Sequence, residues 1–305
     1  MEKQECVGIM LPIIKPMEPV STDILFERRD WIYQIKWDGV RILSNIEPDK
    51  IRLYTRNGND RTNIYPEVTD EIKRNFPDQT LILDGEMVAL ENGRPNFFYV
   101  LKRDRLKNAL KIRQTMNNIP VYYIIFDVLY VEDRWLSNEP LTYRLEVMDK
   151  LKKKVKSSSI QFCPSYEDAH LLYNYTKENG WEGVILKERD GLYHPGKKHP
   201  TWKKIKHFQD IEAWIIGIEL KNKRAYSMLL ASQQGDVWRY LGKAATGLSQ
   251  KELLLLTNQI EELITDTPLV HLPSYSTKDV RWLKPLLKVS VRFLEYSPEG
   301  QLRSP

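Results

Sequence analysis

The sequence predicts an α+β protein of two units, with antiparallel strands and flanking helices in the first and a small β-barrel in the second. Two observations carry this expectation. Residues 31–207 mix short β-like runs with several helical segments, and the antiparallel arrangement is what the resemblance described below implies. Near Phe208-Gln209-Asp210 the texture changes, and short β-like runs follow one another at close spacing around one predicted helix. The boundary is expected at about residue 208, giving units 1–208 and 209–305.

Taken in order, Trp31–Lys36, Val40–Ile46 and Ile51–Thr55 read as three strands joined by the turn-like Trp37-Asp38-Gly39 and Glu47-Pro48-Asp49-Lys50. Pro66 to Phe76 reads as a helix, since proline is tolerated in a first turn. Leu81-Ile82-Leu83 and Glu86–Leu90 read as two strands around Asp84-Gly85. Phe97–Asn117 reads as one basic helix, and Val121–Tyr130 as a buried strand because it is continuously apolar and aromatic. Helices are expected over Leu141–Val155 and Tyr166–Asn179, the latter stopping at Asn179-Gly180. Strands are expected over Gly183–Leu186 and Thr201–His207. In the second unit, strands Glu212–Leu220, Tyr226–Ala231, Val237–Leu241 and Leu286–Tyr296, with a helix over Ser249–Thr265, suit a small barrel such as an OB-fold.

Composition narrows the function classes. With 305 residues, 42% hydrophobic and 10% aromatic, the chain can bury a real core and is not a disordered protein. It has no long uncharged apolar stretch, and the acidic start Met1-Glu2-Lys3-Gln4-Glu5 lacks an apolar region behind it, so a soluble protein of the cytoplasm is expected. Two cysteines, Cys6 and Cys163, fit a reducing compartment, and neither they nor the five histidines have zinc-ligand spacing. The net charge of +5 says little by itself, but its distribution is uneven. Lys102-Arg103-Asp104-Arg105-Leu106-Lys107 with Lys111 and Arg113 forms one cluster, which is either a solvated helix face or a track for a phosphate backbone. Lys197-Lys198-His199 and Lys203-Lys204-Ile205-Lys206-His207 form another, interleaved with Trp202 and Ile205.

The chemistry centres on Tyr33-Gln34-Ile35-Lys36-Trp37-Asp38-Gly39-Val40-Arg41, which contains K-x-D-G-x-R directly after a β-like run. This spacing suits an amine held at a fixed point. Arg56-Asn57-Gly58 follows a strand, either to meet a phosphate or sugar oxygen or as an ordinary hairpin turn. Asp84-Gly85-Glu86 offers acids that can accept from ribose hydroxyls or bind a cation. Phe126, on a rigid strand, either stacks on a purine or is core. Glu182 precedes a buried strand and is a candidate metal ligand, and strand alternation points Lys204 and Lys206 to one face, where two amines can neutralise a phosphate.

In this order, KWDGVR, YTRNG, DGEMVA, FDVLY, WEGVILK and WKKIK resemble the motifs of the covalent nucleotidyltransferase superfamily of DNA ligases, RNA ligases and capping enzymes. Several details look most like bacterial ATP-dependent DNA ligases, in particular the ligase module of the end-joining type. These are DGEMVAL, FDVLY, the segment Tyr193-His194-Pro195-Gly196-Lys197, and the tail from Val291 to Pro305. The resemblance implies a nucleotidyltransferase (adenylation) domain followed by an OB-fold. It also implies ATP and Mg²⁺ or Mn²⁺ as cofactors, and nicked or broken duplex DNA as partner. A Ku-like end-binding partner, a monomeric state and a role in DNA repair go with it.

It implies Lys36, Arg41, Lys204 and Lys206 as catalytic residues, with Lys36 attacking the α-phosphorus of ATP. It places Gln34, Ile35, Lys36, Arg41, Arg56, Glu86, Phe126, Lys204 and Lys206 around the nucleotide, and Glu182 with Glu86 on the metal. Phe126 would stack on adenine and Glu86 would meet the ribose, while Asp38 and Asp127 would be structural. Gln34 stands where many relatives carry an acid facing the base. No final basic R-x-D-K-like motif is found before Pro305, which makes sealing of pre-adenylated ends a safer expectation than reaction with free ATP. The alternatives are an RNA ligase or another lysine-dependent nucleotidyltransferase, and a non-catalytic DNA-end binding module.

Overall fold

Two antiparallel sheets face one another in the first part of the chain, and the burial of their strands explains why. The computed structural model describes residues 11–221, 224–245, 249, 251, 260–272 and 280–305. The chain divides into two compact units, Met1–His207 and Phe208–Pro305. Among the described residues no helix is long and apolar enough to cross a membrane.

Unit one runs β1 (Glu18–Ser21), β2 (Trp31–Ile35), β3 (Val40–Glu47), β4 (Lys50–Thr55), α1 (Pro66–Asn75), β5 (Leu81–Glu91), β6 (Arg94–Pro95), α2 (Phe97–Asp104), α3 (Ala109–Met116) and β7 (Val121–Val131). It continues with β8 (Arg134–Trp135), α4 (Leu141–Lys152), β9 (Ile160–Phe162), α5 (Ala169–Glu178), β10 (Gly183–Glu188) and β11 (Lys198–Lys206). The larger sheet has the order β4-β3-β5-β7-β8, with β6 beside β5 and β9 beside β7. The smaller has the order β1-β11-β10-β2. Pairing is antiparallel except where β1 meets β11 and β7 meets β9.

The side-chain period of two divides β5 between two cores. Leu81, Leu83, Met87 and Ala89 pack with Tyr65, Val68, Ile72 and Phe76 of the α1 region and with Met148 and Leu151 of α4. Ile82 points the other way and joins Leu43, Leu129, Met17, Tyr193 and Trp202 between the sheets. The outer face of the small sheet is closed by α5, through Ala169 and Leu172 against Tyr33, Val184, Leu186 and Ile205. Full burial of each large apolar side chain contributes about 1.5–3 kcal/mol. The resulting order is helices, large sheet, small sheet, helix, and charged groups have access to the space between the sheets.

Several sequence expectations change in detail. The two strands expected around Asp84-Gly85 are the single strand β5. The turn-like dipeptide is a bulge, where the register with β7 shifts between Asp84 and Gly85. A Cβ on Gly85 would lie 2.6 Å from the Ile124 carbonyl oxygen, so only glycine lets β7 approach there. The helix expected over Phe97–Asn117 is two helices. Asn108 interrupts it and caps α3, its Oδ1 accepting from the Leu110 and Lys111 amides. The helix expected from Tyr166 starts at Ala169, because Asp168 accepts from the Leu171 amide and Tyr166 instead pairs with Tyr33. Strands β1, β6, β8 and β9 are short or proline-bearing and gave no periodic signal.

Unit two contains β12 (Gln209–Lys221), β13 (Arg224–Gln234), β14 (Val237–Ala244), β15 (Val280–Phe293), β16 (Glu295–Tyr296) and β17 (Leu302–Arg303). The order β14-β13-β12-β15 is an antiparallel half-barrel, bent by register shifts at Ile215/Gly217 and Leu230/Ala231, as in an OB-fold. Its concave core holds Ala213, Ile215, Met228, Leu230, Leu241 and Phe293. Of the helix expected over Ser249–Thr265, residues 250 and 252–259 lie outside the described residues. Ile260–Leu263 is a single 3-10 turn, and Ile264 bridges to Leu283, so the end of that segment is extended.

A fully buried ion pair fastens α4 to the large sheet. Arg144 donates to both oxygens of Asp127 at 2.7 and 3.0 Å and also to the carbonyls of Glu139 and Gly191. Both side chains are 0% exposed. Arg144→Ala is therefore expected to destabilise unit one by about 3–5 kcal/mol, because it strands a buried carboxylate. A urea titration followed by tryptophan fluorescence measures this, and a loss under about 1 kcal/mol would contradict the assignment.

Candidate active site

Strand register brings the charged groups together. Lys36 directly follows β2, and its amide donates to the Gly183 carbonyl at 2.9 Å. Glu182 directly precedes β10, and Lys206 of β11 lies opposite Gly183. The Glu182 carboxylate accepts from Lys36 Nζ at 2.5 Å and from Lys206 Nζ at 2.8 Å. Burial would raise the Glu182 carboxyl, but the two ammonium groups outweigh it and hold the acid below its ordinary range. Gly39 closes the turn after Lys36. A Cβ there would lie 2.1 Å from the Met87 carbonyl oxygen, so the glycine of K-x-D-G is fixed by the approach of β5.

A second node lies on β3 and β5. Arg41, opposite Glu86 in the ladder, forms a two-pronged pair with Asp84 at 2.5 and 2.6 Å. Asp84 also accepts from the Tyr193 hydroxyl at 2.6 Å, and that hydroxyl accepts from the Met17 amide at 3.0 Å. Burial opposes the Arg41 charge, yet Asp84 more than offsets it and the guanidinium stays firmly protonated. It lies 4.4 Å from the centre of the Phe126 ring. Glu86 is different. Burial pushes its carboxyl up to about 8, against the pull of Lys36 and Arg41, with Glu182 and Asp38 pushing the same way as burial. At neutral pH it is largely a neutral acid that can donate a hydrogen bond.

These groups border one cleft between the sheets. Gln34, Ile35, Lys36, Arg41, Glu86 and Phe126 line it, as do Arg56 and Lys204. Lys204 is held below its ordinary value by burial and by Lys206 and Lys36. Gln34 donates to Ser165 Oγ at 3.1 Å. Arg56 faces Glu18 at 3.6 Å, with both half-exposed. Lys206 and Glu182, expected around the nucleotide and the metal, are engaged with each other beside the lined surface. The basic cluster around Trp202 is split by strand alternation. Lys203 packs over Phe26 and Trp31 on the α5 side, away from Lys204.

The structure adds residues that sequence reasoning gave no role. Pro16, Glu18 and Pro19 form one wall, brought there by β1, whose four residues carry no periodicity. Ile185 lines the cleft from the strand motif already noted, and period two along Gly183–Glu188 could have found it. Lys187, 1% exposed, donates to the Phe126 carbonyl at 3.1 Å and lies 4.0 Å from the Trp202 ring centre. Burial pushes its ammonium down to about 8.

The donor set fits a nucleotide and a hard cation. An aromatic and aliphatic wall (Phe126, Trp202, Ile185) stands beside five basic side chains, Lys36, Arg41, Arg56, Lys187 and Lys204. Among the described residues no group of three or more metal-ligating side chains is assembled. Two nearby carboxyls, Glu86 and Glu182, match a Mg²⁺-type ion that takes one or two carboxylates and completes its shell with phosphate oxygens and water.

Because Glu86 has a raised value, its favourable contribution to stability is fully present below the unfolded carboxyl value, about 4.3, and is lost as pH rises through about 8. Chemical denaturation of Glu86→Gln should therefore show a smaller loss of stability between pH 5 and about 8 than the parent protein. Parallel curves for the two would mean that Glu86 is ionised in the folded state.

The known proteins similar to this chain agree with one another. The family described as "ATP dependent DNA ligase domain" matches residues 13–206, and the "ATP dependent DNA ligase C terminal region" matches residues 221–305. The multifunctional non-homologous end joining protein LigD of Mycobacterium bovis is 31% identical over 280 residues, 90% of this chain and 35% of that protein. A DNA ligase of Thermococcus onnurineus is 33% identical over 276 residues, 84% of this chain and 49% of that protein. The chain thus spans between a third and a half of these curated relatives. A solved structure of mycobacterial DNA ligase D complexed with ATP and MES superposes with a TM-score of 0.60 at 29% identity, covering 95% of this chain and 92% of that one. A motif set assembled around one lysine, and matches over both units, make this chain a member of the ATP-dependent DNA ligase family.

Proposed function

We propose that this protein seals breaks in duplex DNA with ATP, through AMP carried on Lys36. The observation that supports this most is Glu182 holding Lys36 and Lys206 at one end of a cleft with an aromatic wall and further cations. A lysine amine is mostly protonated at neutral pH and is then no nucleophile. Lys36 Nζ lies 2.5 Å from Glu182 and lines the cleft with Arg41 and Lys204, and as the neutral amine it attacks the α-phosphorus in line. One P–N bond forms as the bond to pyrophosphate breaks.

Arg41, fixed by Asp84, and Lys204 neutralise the oxygens of the transferring phosphoryl group. Phe126 supplies a stacking face for adenine, and neutral Glu86 donates to a ribose oxygen. Mg²⁺ or Mn²⁺, held by Glu182, would supply further charge neutralisation. AMP then passes to the 5′-phosphate of the break, near Arg56. The 3′-hydroxyl attacks that phosphate, the new P–O bond replaces the bond to AMP, and AMP leaves. Relatives named as end-joining proteins support work on double-strand breaks beside a Ku-like partner, in the bacterial cytoplasm or nucleoid.

Intact mass after incubation with ATP and Mg²⁺ is expected to rise by one AMP. Lys36→Ala should abolish the adduct while retaining nick binding, and a nicked duplex should be sealed only by the parent protein. An adduct persisting in Lys36→Ala would identify a different nucleophile. An adduct with GTP and none with ATP would overturn the ligase reading.

A further inference from the structure

Helices α2 and α3 form a basic knob that the chemistry of the cleft does not use. Lys102, Arg105, Lys107, Lys111 and Arg113 are all exposed. The sixth cation of this stretch, Arg103, is 0% exposed. It holds the knob in place through Glu67 at 2.6 Å and the Ile119 carbonyl at 2.9 Å, with Ile112 buried beneath α3. The one acid, Asp104, is taken by Arg61 at 2.8 Å and by the Tyr65 hydroxyl at 3.1 Å.

Elsewhere on this unit three exposed arginines have acid partners close by, in Arg28–Asp30, Arg74–Glu71 and Arg134–Glu139. Among the described residues none of the five knob cations is in an ion pair. Five like charges held on a rigid platform repel one another, and a polyanion relieves that cost.

Position connects the knob to the cleft. Arg61, which grips Asp104, belongs to the ordered turn that begins at Arg56. The Gly58 amide donates to Thr55 and the Arg61 amide to Leu53 within it. Arg56 lines the cleft, so one short turn joins the cleft rim to the knob. Eight residues of α3 extend about 12 Å. Along that length duplex DNA presents about seven phosphate charges, both strands counted, enough to meet Lys111 and Arg113 on α3 with others left for the cations before it.

We infer that the α2–α3 knob is a phosphate-backbone grip for duplex DNA flanking the break, placed on the Arg56 side of the cleft. This rests on the DNA-sealing reading above. The contact is electrostatic and independent of base sequence, and it sets the register of the duplex without touching the reacting atoms.

The test uses the full chain carrying Lys107→Glu, Lys111→Glu and Arg113→Glu together. The control carries Lys150→Glu, Lys152→Glu and Lys153→Glu on exposed α4 and at its end, which changes net charge equally. Affinity for a nicked duplex is measured across a salt series, and the Lys36 adduct with ATP is read on the same samples. The knob variant should bind about tenfold or more weaker at low salt, and its log–log salt slope should be shallower by about 2–3. The control should lie close to the parent protein.

Equal affinity and slope in the knob variant and parent, or equal loss in the control, overturns the knob assignment while the adduct and sealing still stand. Absence of the Lys36 adduct from the parent protein would instead overturn the ligase reading itself. A variant with all three residues changed to Gln gives the same comparison without introducing repulsion, should the reversed charges disturb folding.

Discussion

Charges buried between two apolar sheets are tolerated only when paired and hydrogen-bonded, and this requirement organises unit one. Asp84 meets it by taking both prongs of Arg41 and the Tyr193 hydroxyl, which in turn takes the Met17 amide. One carboxylate thereby joins β3, β5, the segment before β11 and the chain entering β1. Asp127 does the same between β7, α4 and Gly191 through Arg144. Glu182 does it between β2, β10 and β11 through two lysines. Each node is placed by a site motif, so the residues that organise the chemistry also fasten the layers. Loss of Arg41 or Arg144 leaves Asp84 or Asp127 buried without a counter-ion, which is why these positions are costly to change.

The same pairing rule explains why Arg41, Glu86 and Lys187 differ in ionisation although they surround one cleft. Arg41 has a dedicated carboxylate and stays charged. Glu86 has cations nearby but meets other acids too, and burial leaves it mostly neutral. Lys187 has a carbonyl and two aromatic faces and no acid in direct contact, and its ammonium is weakened. A cleft that holds a fixed cation, a neutral acid and a weakened ammonium can both neutralise phosphate oxygens and donate to a sugar.

Much of this architecture was legible in the residues. The main strands of both sheets and of the half-barrel were visible as short β-like runs, with β7 marked by a continuous apolar and aromatic stretch. Lys36, Arg41, Glu86, Phe126 and Lys204 were found from motif order, and the structure brings them to one cleft. What was not legible depended on contacts distant in sequence. Asp84-Gly85 has the composition of a turn and is a bulge because β7 passes against it. The four residues of β1 form a wall of the cleft only because β11 offers them a parallel edge. The engagement of Lys206 with Glu182 follows from the register of β10 on β11, which no local pattern encodes. Conversely, Asn108 is a readable cap inside an apparently continuous basic segment, its side chain accepting from the Leu110 and Lys111 amides.

The pair between Lys36 and Glu182 has a consequence for the order of events. A nucleophilic lysine must lose its proton, yet Glu182 stabilises the protonated form by direct contact. Negative phosphates alone cannot undo this, since they also favour an ammonium. Release requires a cation that competes for the Glu182 carboxylate. Lys206 already occupies one of its oxygens and shows that the carboxylate can hold two positive groups at once. On the reading proposed above, a cation entering with the nucleotide would compete with Lys36 for the Glu182 carboxylate, so nucleotide entry and release of the amine from its pair would be linked.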